Sequence, residues 1–313
     1  MIKLTVKSFI TPKKGETTAD CQDARKHNES VGRYAVADGA TLSFFPRQWA
    51  KLLVKRFCYP DGLSLSFEEE NWEAWIEPIQ QEWLEWVSQT VQETKAYMLV
   101  DRLSKLESAL STFIGIEFNV DKGEWKALII GDSCLFHQND SEFKSYLLDG
   151  LSDFQYRPKS FASFEKDNPV GGPPEVKSDK ALPGDLFILA TDALAKWIVQ
   201  HKETGKDTLE KALDQLKQIE TNDQFNQFVN IARDQEDIRL VNDDVTLMLI
   251  SVEESQSPEV EDIQPEVYPE TLISEDIQSV SNTLSFLFWL ILAGVFGFFV
   301  GFIILVLILL NKN

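Results

Sequence analysis

Five aspartates are spread through this chain: Asp23, Asp38, Asp132, Asp192 and Asp243. Four of them stand where an apolar, strand-like run ends or begins: YAVAD leads to Asp38, KALIIGD to Asp132 and DLFILATD to Asp192, and Asp243 comes just before VTLMLI. At strand ends, side chains from distant parts of a chain can converge without being buried as unpaired charge. Carboxylates so gathered repel one another at neutral pH unless a cation offsets them, and hard oxygen donors suit Mg²⁺ or Mn²⁺. The pattern points to a two-metal site that cleaves phosphoesters.

Composition narrows the class. The chain has 313 residues and a formal net charge of -20, which argues against nucleic acid as a partner. The acidity is uneven: residues 252–277 carry nine carboxylates and no Lys or Arg, while residues 1–251 hold 41 acids against 29 bases. Cys21, Cys58 and Cys134 have neither disulfide-like nor metal-site spacing, which fits a reducing compartment. His27, His137 and His201 form no zinc motif. The first residues, MIKLTVKSFITPKKG, lack the apolar run of a signal peptide and read as a strand.

The C-terminal part has a different chemistry. Residues 252–284, rich in Pro, Glu and Ser, read as an acidic disordered linker. Ser285 to Leu310 are 26 residues without a charge, ample for one transmembrane helix over 285–310. The expectation is a single-pass, tail-anchored membrane protein with its large domain in the cytoplasm. Ala293, Gly297 and Gly301 recur every four residues, as a homodimer face or as lipid-facing small residues.

Periodicity organises the rest. Residues 2–9 and 33–37 read as strands, and 44–59 as a helix with Trp49, Leu52, Leu53 and Phe57 inward. From 67 to about 103 a Trp-rich helical stripe is expected, divided or kinked at Pro78. STFIGIEF, EWKALIIGD, CLFHQ and EFKSYLL read as successive strands of a meander, turning at Asp121–Gly123. Residues 150–183 read as a long surface segment, LFILA as a strand, 207–219 and 223–233 as helices, and 245–251 as the last strand. This order is α+β, with two antiparallel sheets packed between helical layers.

CQDA (21–24), VADGA (36–40), STFIG (111–115), IIGDS (129–133), LATDAL (189–194) and NDDVT (242–246), in this order, resemble the metal-dependent serine/threonine protein phosphatases of the PP2C (PPM) family. The resemblance covers nearly all of the expected domain, residues 1–251, and implies a four-layer αββα sandwich. It implies two Mn²⁺ or Mg²⁺ ions, with a third, weaker site, and a phosphoprotein substrate. Asp38 matches the aspartate that bridges both metals, and the Gly39 carbonyl the group that helps hold one of them. Asp192 and Asp243 match carboxylates of one metal, Asp23 the acid of the first motif, and Asp132 the third position. Asp38, Asp192 and Asp243 would carry catalysis, in which a water activated by the metals attacks phosphorus. Ser111 and Thr112 look like the pair opening the strand that supports the site.

The chain also departs from that family. Gln22 stands where a Glu is usual, and Thr18 where an Arg clamps phosphate, leaving Lys13, Lys14 or Arg25 to compensate. Ala40 offers no proton donor, Ala193 replaces a glycine, Cys134 an arginine, and Asp244 an asparagine. Two other readings remain: a non-catalytic PP2C-like module that binds phosphoproteins or a membrane partner, and an adaptor whose function is the tail helix.

Overall fold

The apolar runs beside the aspartates are strands buried on both faces, and that double burial sets the layers. The structure, a computed structural model, describes residues 2–60, 64–67, 71–154 and 157–255. One sheet has the order β1 (Ile2–Thr11), β11 (Val245–Glu254), β10 (Leu186–Ala190), β6 (Cys134–Gln138), β7 (Phe143–Tyr146). The other runs β2 (Ala24–Asn28), β3 (Arg33–Gly39), β4 (Leu110–Asn119), β5 (Glu124–Ile130), β9 (Glu175–Lys180). A short β8 (Phe161–Ala162) pairs with β4. Neighbouring strands pair antiparallel throughout.

Side chains alternate across each strand, so one strand feeds two apolar layers. Tyr34, Val36, Ile114, Ile116 and Ile129 meet Phe187, Leu189, Met248 and Ile250 between the sheets. On the outer face of the first sheet, Ile188, Val245 and Leu247 pack under α4 (Asp192–Thr204), α5 (Lys206–Lys217) and α6 (Asn222–Arg233). On the outer face of the second, Ala35, Phe113 and Leu128 pack under α1 (Pro46–Cys58) and α2 (Trp72–Thr94). Covering both faces explains why LFILA is apolar without interruption and VTLMLI apolar but for Thr246. The expected four-layer sandwich of two antiparallel sheets flanked by helices is what the chain forms.

Several local expectations are corrected. The helix over 67–103 does not divide at Pro78; α2 runs through it and stops at Lys95, whose φ is 51°, before α3 (Tyr97–Ser104). Pro78 removes one backbone donor, but Trp75, Ile76, Ile79 and Trp83 are buried on the sheet, and that packing keeps the helix going. The four strands read as a meander belong to two sheets: β4 and β5 form a hairpin in one, and β6 and β7 lie in the other. The segment 150–183 contains β8 and β9, and Phe161 is fully buried. Trp49 Nε1 and Gln80 Nε2 donate to the carbonyls of Phe161 and Ala162 at 3.0 and 2.9 Å, so side chains from two helices hold β8 in place.

Two further elements were not expected from the sequence. The polar β2, ARKHN, lies at a sheet edge, where one side needs no apolar cover. Helix α4, ALAKWIVQ at its heart, was hidden because a short apolar run does not separate strand from buried helix. The compact unit ends at Ser255. Most of the linker, the apolar stretch 285–310 and the Ala293/Gly297/Gly301 face lie outside the described residues. Among those described, no helix is long and apolar enough to cross a membrane.

Trp83 is fully buried and meets Phe44 and Phe164 edge-on. Truncation to Ala is expected to cost about 3–5 kcal/mol, read from the midpoint and slope of urea unfolding. A loss below about 1 kcal/mol would mean that this outer layer is not close-packed.

Candidate metal centre

All five aspartates reach the same end of the sandwich, each delivered by a strand end or by a chain crossing between sheets. Asp38 is the penultimate residue of β3, opposite Thr112, and Gly39 is opposite Ser111. Ser111 Oγ donates to the Asp38 carbonyl at 2.8 Å, which bears out the supporting place expected for the Ser111–Thr112 pair. Asp23 immediately precedes β2, and Asp243 lies just before β11. Asp132 sits on the crossing from β5 to β6. Gly131 beside it has φ 102°, and a Cβ there would fall 2.4 Å from Thr112 Cγ2, so glycine alone fits this corner. Asp192 opens α4, where unpaired backbone N–H groups favour a negative charge.

Asp23 binds the two sheets together. Its Oδ2 accepts from Thr191 Oγ1 at 2.9 Å and from Thr246 Oγ1 at 2.7 Å. Thr191 is the N-cap residue of α4, yet its hydroxyl does not cap the helix; it serves Asp23 and accepts from Thr246 N at 2.9 Å. The other oxygen, Asp23 Oδ1, is buried without a hydrogen-bond partner, as is Gln22 Oε1 next to it. Asp244, in the place of the usual asparagine, is buried, and its oxygens are bonded to backbone N–H groups. Its two oxygens accept Lys13 N at 3.0 Å and Gln22 N at 2.7 Å, pinning both ends of the loop that carries Asp23. Arg233 of α6 donates to the carbonyls of Asp243 (2.5 Å) and Pro12 (3.1 Å) from the helical side.

Crowding shows in the acidities. Burial pushes Asp38 well above the usual carboxylate range, and the charges of Asp23, Asp192, Asp132 and Asp243 push it further. Asp23 is raised to about 8, mainly by burial and by Asp244, against the pull of its threonine bonds. Asp132 is raised to about 7 by burial and Asp192, with Lys196 working the other way. Two ammonium groups stand among these acids. Lys196 Nζ is 2.5 Å from Asp192 Oδ2, and Lys13 Nζ is 3.0 Å from Asp243 Oδ1. Of the three cations weighed as substitutes for the clamping arginine, Lys13 alone bonds one of the five aspartates; Lys14 pairs with Asp234 and Arg25 with Ser8. Arg47 of α1 was not foreseen. Its guanidinium donates to the carbonyls of Thr18 and Ala19, at the rim of the same loop.

Among the described residues, no three His, Cys, Asp or Glu side chains are arranged so as to hold a metal ion. The donors present nonetheless fit a divalent cation in chemistry. Asp38 and four carboxylates close enough to act on it, with a buried carboxylate oxygen and a buried amide oxygen left unpaired, form an all-oxygen set that added positive charge would satisfy. The site residues read from the sequence are thus brought together. The residues that position them were missed, although TD at 191–192 and DDVT at 243–246 placed threonines beside the acids. Lys196 was legible only once α4 was known to be a helix.

A sequence profile described as protein phosphatase 2C matches residues 14–230, and the chain belongs to that family. Its fold is similar to the catalytic domain of the serine/threonine protein phosphatase PstP in complex with two manganese ions (15% identity, TM-score 0.54, covering 81% of this chain and 100% of that one). It is similar to the serine/threonine phosphatase Stp1 from Staphylococcus aureus (15%, 0.51, 80% and 96%) and to a bacterial serine phosphatase (16%, 0.50, 81% and 100%). No curated protein matches the chain by sequence.

The raised acidities set a pH dependence. A carboxyl whose folded pKa exceeds its unfolded value favours the fold when protonated, so that stability is full in acid and is lost as pH rises through about 7 and 8 for Asp132 and Asp23. In chelator, the melting temperature is expected to be lower at about pH 8.5 than at about pH 5.5. Asp38→Asn should raise the melting temperature at the alkaline end and flatten the slope. Calorimetric scans that instead show stability rising across this window would contradict the burial of these charges.

Proposed function

We propose that this chain hydrolyses phosphoserine and phosphothreonine in proteins with the help of two Mn²⁺ or Mg²⁺ ions. The observation that carries the reading is Asp38, whose carboxyl is raised first by burial and then by the charges of four other aspartates drawn from separate parts of the chain. Asp38 would hold both cations, the Gly39 carbonyl one of them, Asp192 and Asp243 the other, and Asp132 a third, weaker one. Bound there, the cations would supply the Lewis acidity that activates water and neutralises the phosphoryl oxygens. Manganese in the PstP catalytic domain, which shares this fold, supports that choice of ion.

The chain's own groups have distinct tasks. Asp23, locked by two threonine hydroxyls, sets the spacing of the α4 and β11 acids. Asp244 and Arg233 hold the loops that carry Asp23 and Asp243. With Thr18 in place of an arginine, Lys13 meets a phosphoryl oxygen as a point charge, which gives weaker orientation than a bidentate fork. Ala40 provides no proton, so the departing seryl or threonyl oxygen takes one from solvent. Residues 285–310 would hold the enzyme at a membrane, a reading that rests on their uncharged sequence.

A second reading, a PP2C-like module that binds phosphoproteins without turnover, is favoured by one feature. Gln22 supplies no charge, and lysines already sit on two of the five carboxylates. Manganese titration with phosphothreonine and phosphoserine peptides separates the two. An enzyme releases phosphate in proportion to bound metal, and Asp38→Asn and Asp192→Asn each fall to background while remaining folded. Full turnover by the double variant would remove both residues from the reaction, and tight peptide binding without phosphate release would favour the second reading.

A further inference from the structure

Lys196 lies one helical turn after Asp192 on α4, with its Nζ on Asp192 Oδ2. The (i, i+4) geometry aims the side chain back towards the helix N-terminus, into the acids. Its ammonium acts on Asp132 and Asp243 as well as Asp192, and stands 5.4 Å from the centre of the Phe154 ring. The side chain is 28% exposed, so the charge is held in a fixed place and is not swinging in solvent. Helix, bond and aromatic ring together put one permanent positive charge on the side of the cluster formed by Asp132 and Asp192.

We propose that Lys196 is a built-in counter-cation that takes up the Asp132–Asp192 side of the acid cluster and suppresses binding of a further divalent ion there. The inference rests on the metal-dependent reading above. A divalent ion reaching Asp132 and Asp192 must break the Lys196–Asp192 bond or share the pocket with a like charge a few ångströms away. Asp192 also serves the position that Asp38 and Asp243 supply, but that position keeps two carboxylates besides, whereas the further one keeps only Asp132 and is weakened most. The chain would then work with fewer bound divalent ions than its five aspartates suggest.

The test uses Mn²⁺ alone, titrated calorimetrically into the metal-stripped full-length chain and into its Lys196→Met and Lys196→Arg variants. Met keeps most of the stem's volume and removes the charge; Arg keeps the charge. The Met variant is expected to gain one Mn²⁺ per chain, or to bind its weakest Mn²⁺ at least about tenfold more tightly, with Arg close to wild type. If Met does not fold by circular dichroism, Lys196→Gln takes its place. An isotherm for Met or Gln superimposable on wild type overturns the proposal, as does an equal shift in Met and Arg. Absence of Mn²⁺ binding in every form overturns the metal-dependent reading as well, so the two failures are distinguishable.

Discussion

Repulsion among carboxylates brought to one end of a β-sandwich is the constraint that the rest of this molecule answers. Burial and neighbouring charge raise Asp38, Asp23 and Asp132, and a fold that gathers five acids must hold them by other means. Here those means are specific: two threonine hydroxyls on Asp23, two lysine ammoniums on Asp192 and Asp243, and the N-terminus of α4 behind Asp192. A second set of bonds acts on the backbone behind the acids. Asp244 grips the N–H groups of Lys13 and Gln22, and Arg233 grips the carbonyls of Pro12 and Asp243. The result is a cluster strained in charge and firm in position, which is how oxygen sites for divalent cations are prepared.

The scaffold supplies that firmness through its layers. Each central strand is buried on both faces, so its register is fixed by two apolar layers at once. A slip by one residue in β3 would turn Asp38 towards the opposite face and bring Tyr34 and Val36 out from between the sheets. Gly131 contributes in another way, allowing the chain to cross between sheets hard against Thr112, so that Asp132 arrives beside acids of both sheets. Packing energy thereby becomes positional accuracy at the site, although the apolar layers and the acids share no chemistry.

Departures from the family pattern have structural answers where the described residues cover them. Asp244 spends its oxygens on the backbone donors Lys13 N and Gln22 N, while its charge still acts on Asp23. Neither Lys14 nor Arg25 substitutes for the missing arginine, because each has a partner elsewhere. Lys196 was never in question from the sequence, and it turns out to be one of the two cations in direct contact with the aspartates.

What could be read beforehand was whatever depends on local pattern. Apolar runs such as LFILA and VTLMLI marked strands, Trp and Leu at helical spacing marked α1 and α2, and acids at strand ends marked the centre. Those signals lie within a few residues of one another, so the chain alone determined them. It did not determine that CLFHQ leaves its neighbours for the other sheet, that α2 passes through Pro78, or that ALAKWIVQ is a helix. Each of those was settled by burial against partners far away in sequence. The same holds for the bonds from Thr191 and Thr246 to Asp23, and for Lys196 reaching Asp192. An aspartate announces itself by its flanking residues, but what neutralises and aims it is decided by which distant side chains the packed layers bring within 3 Å.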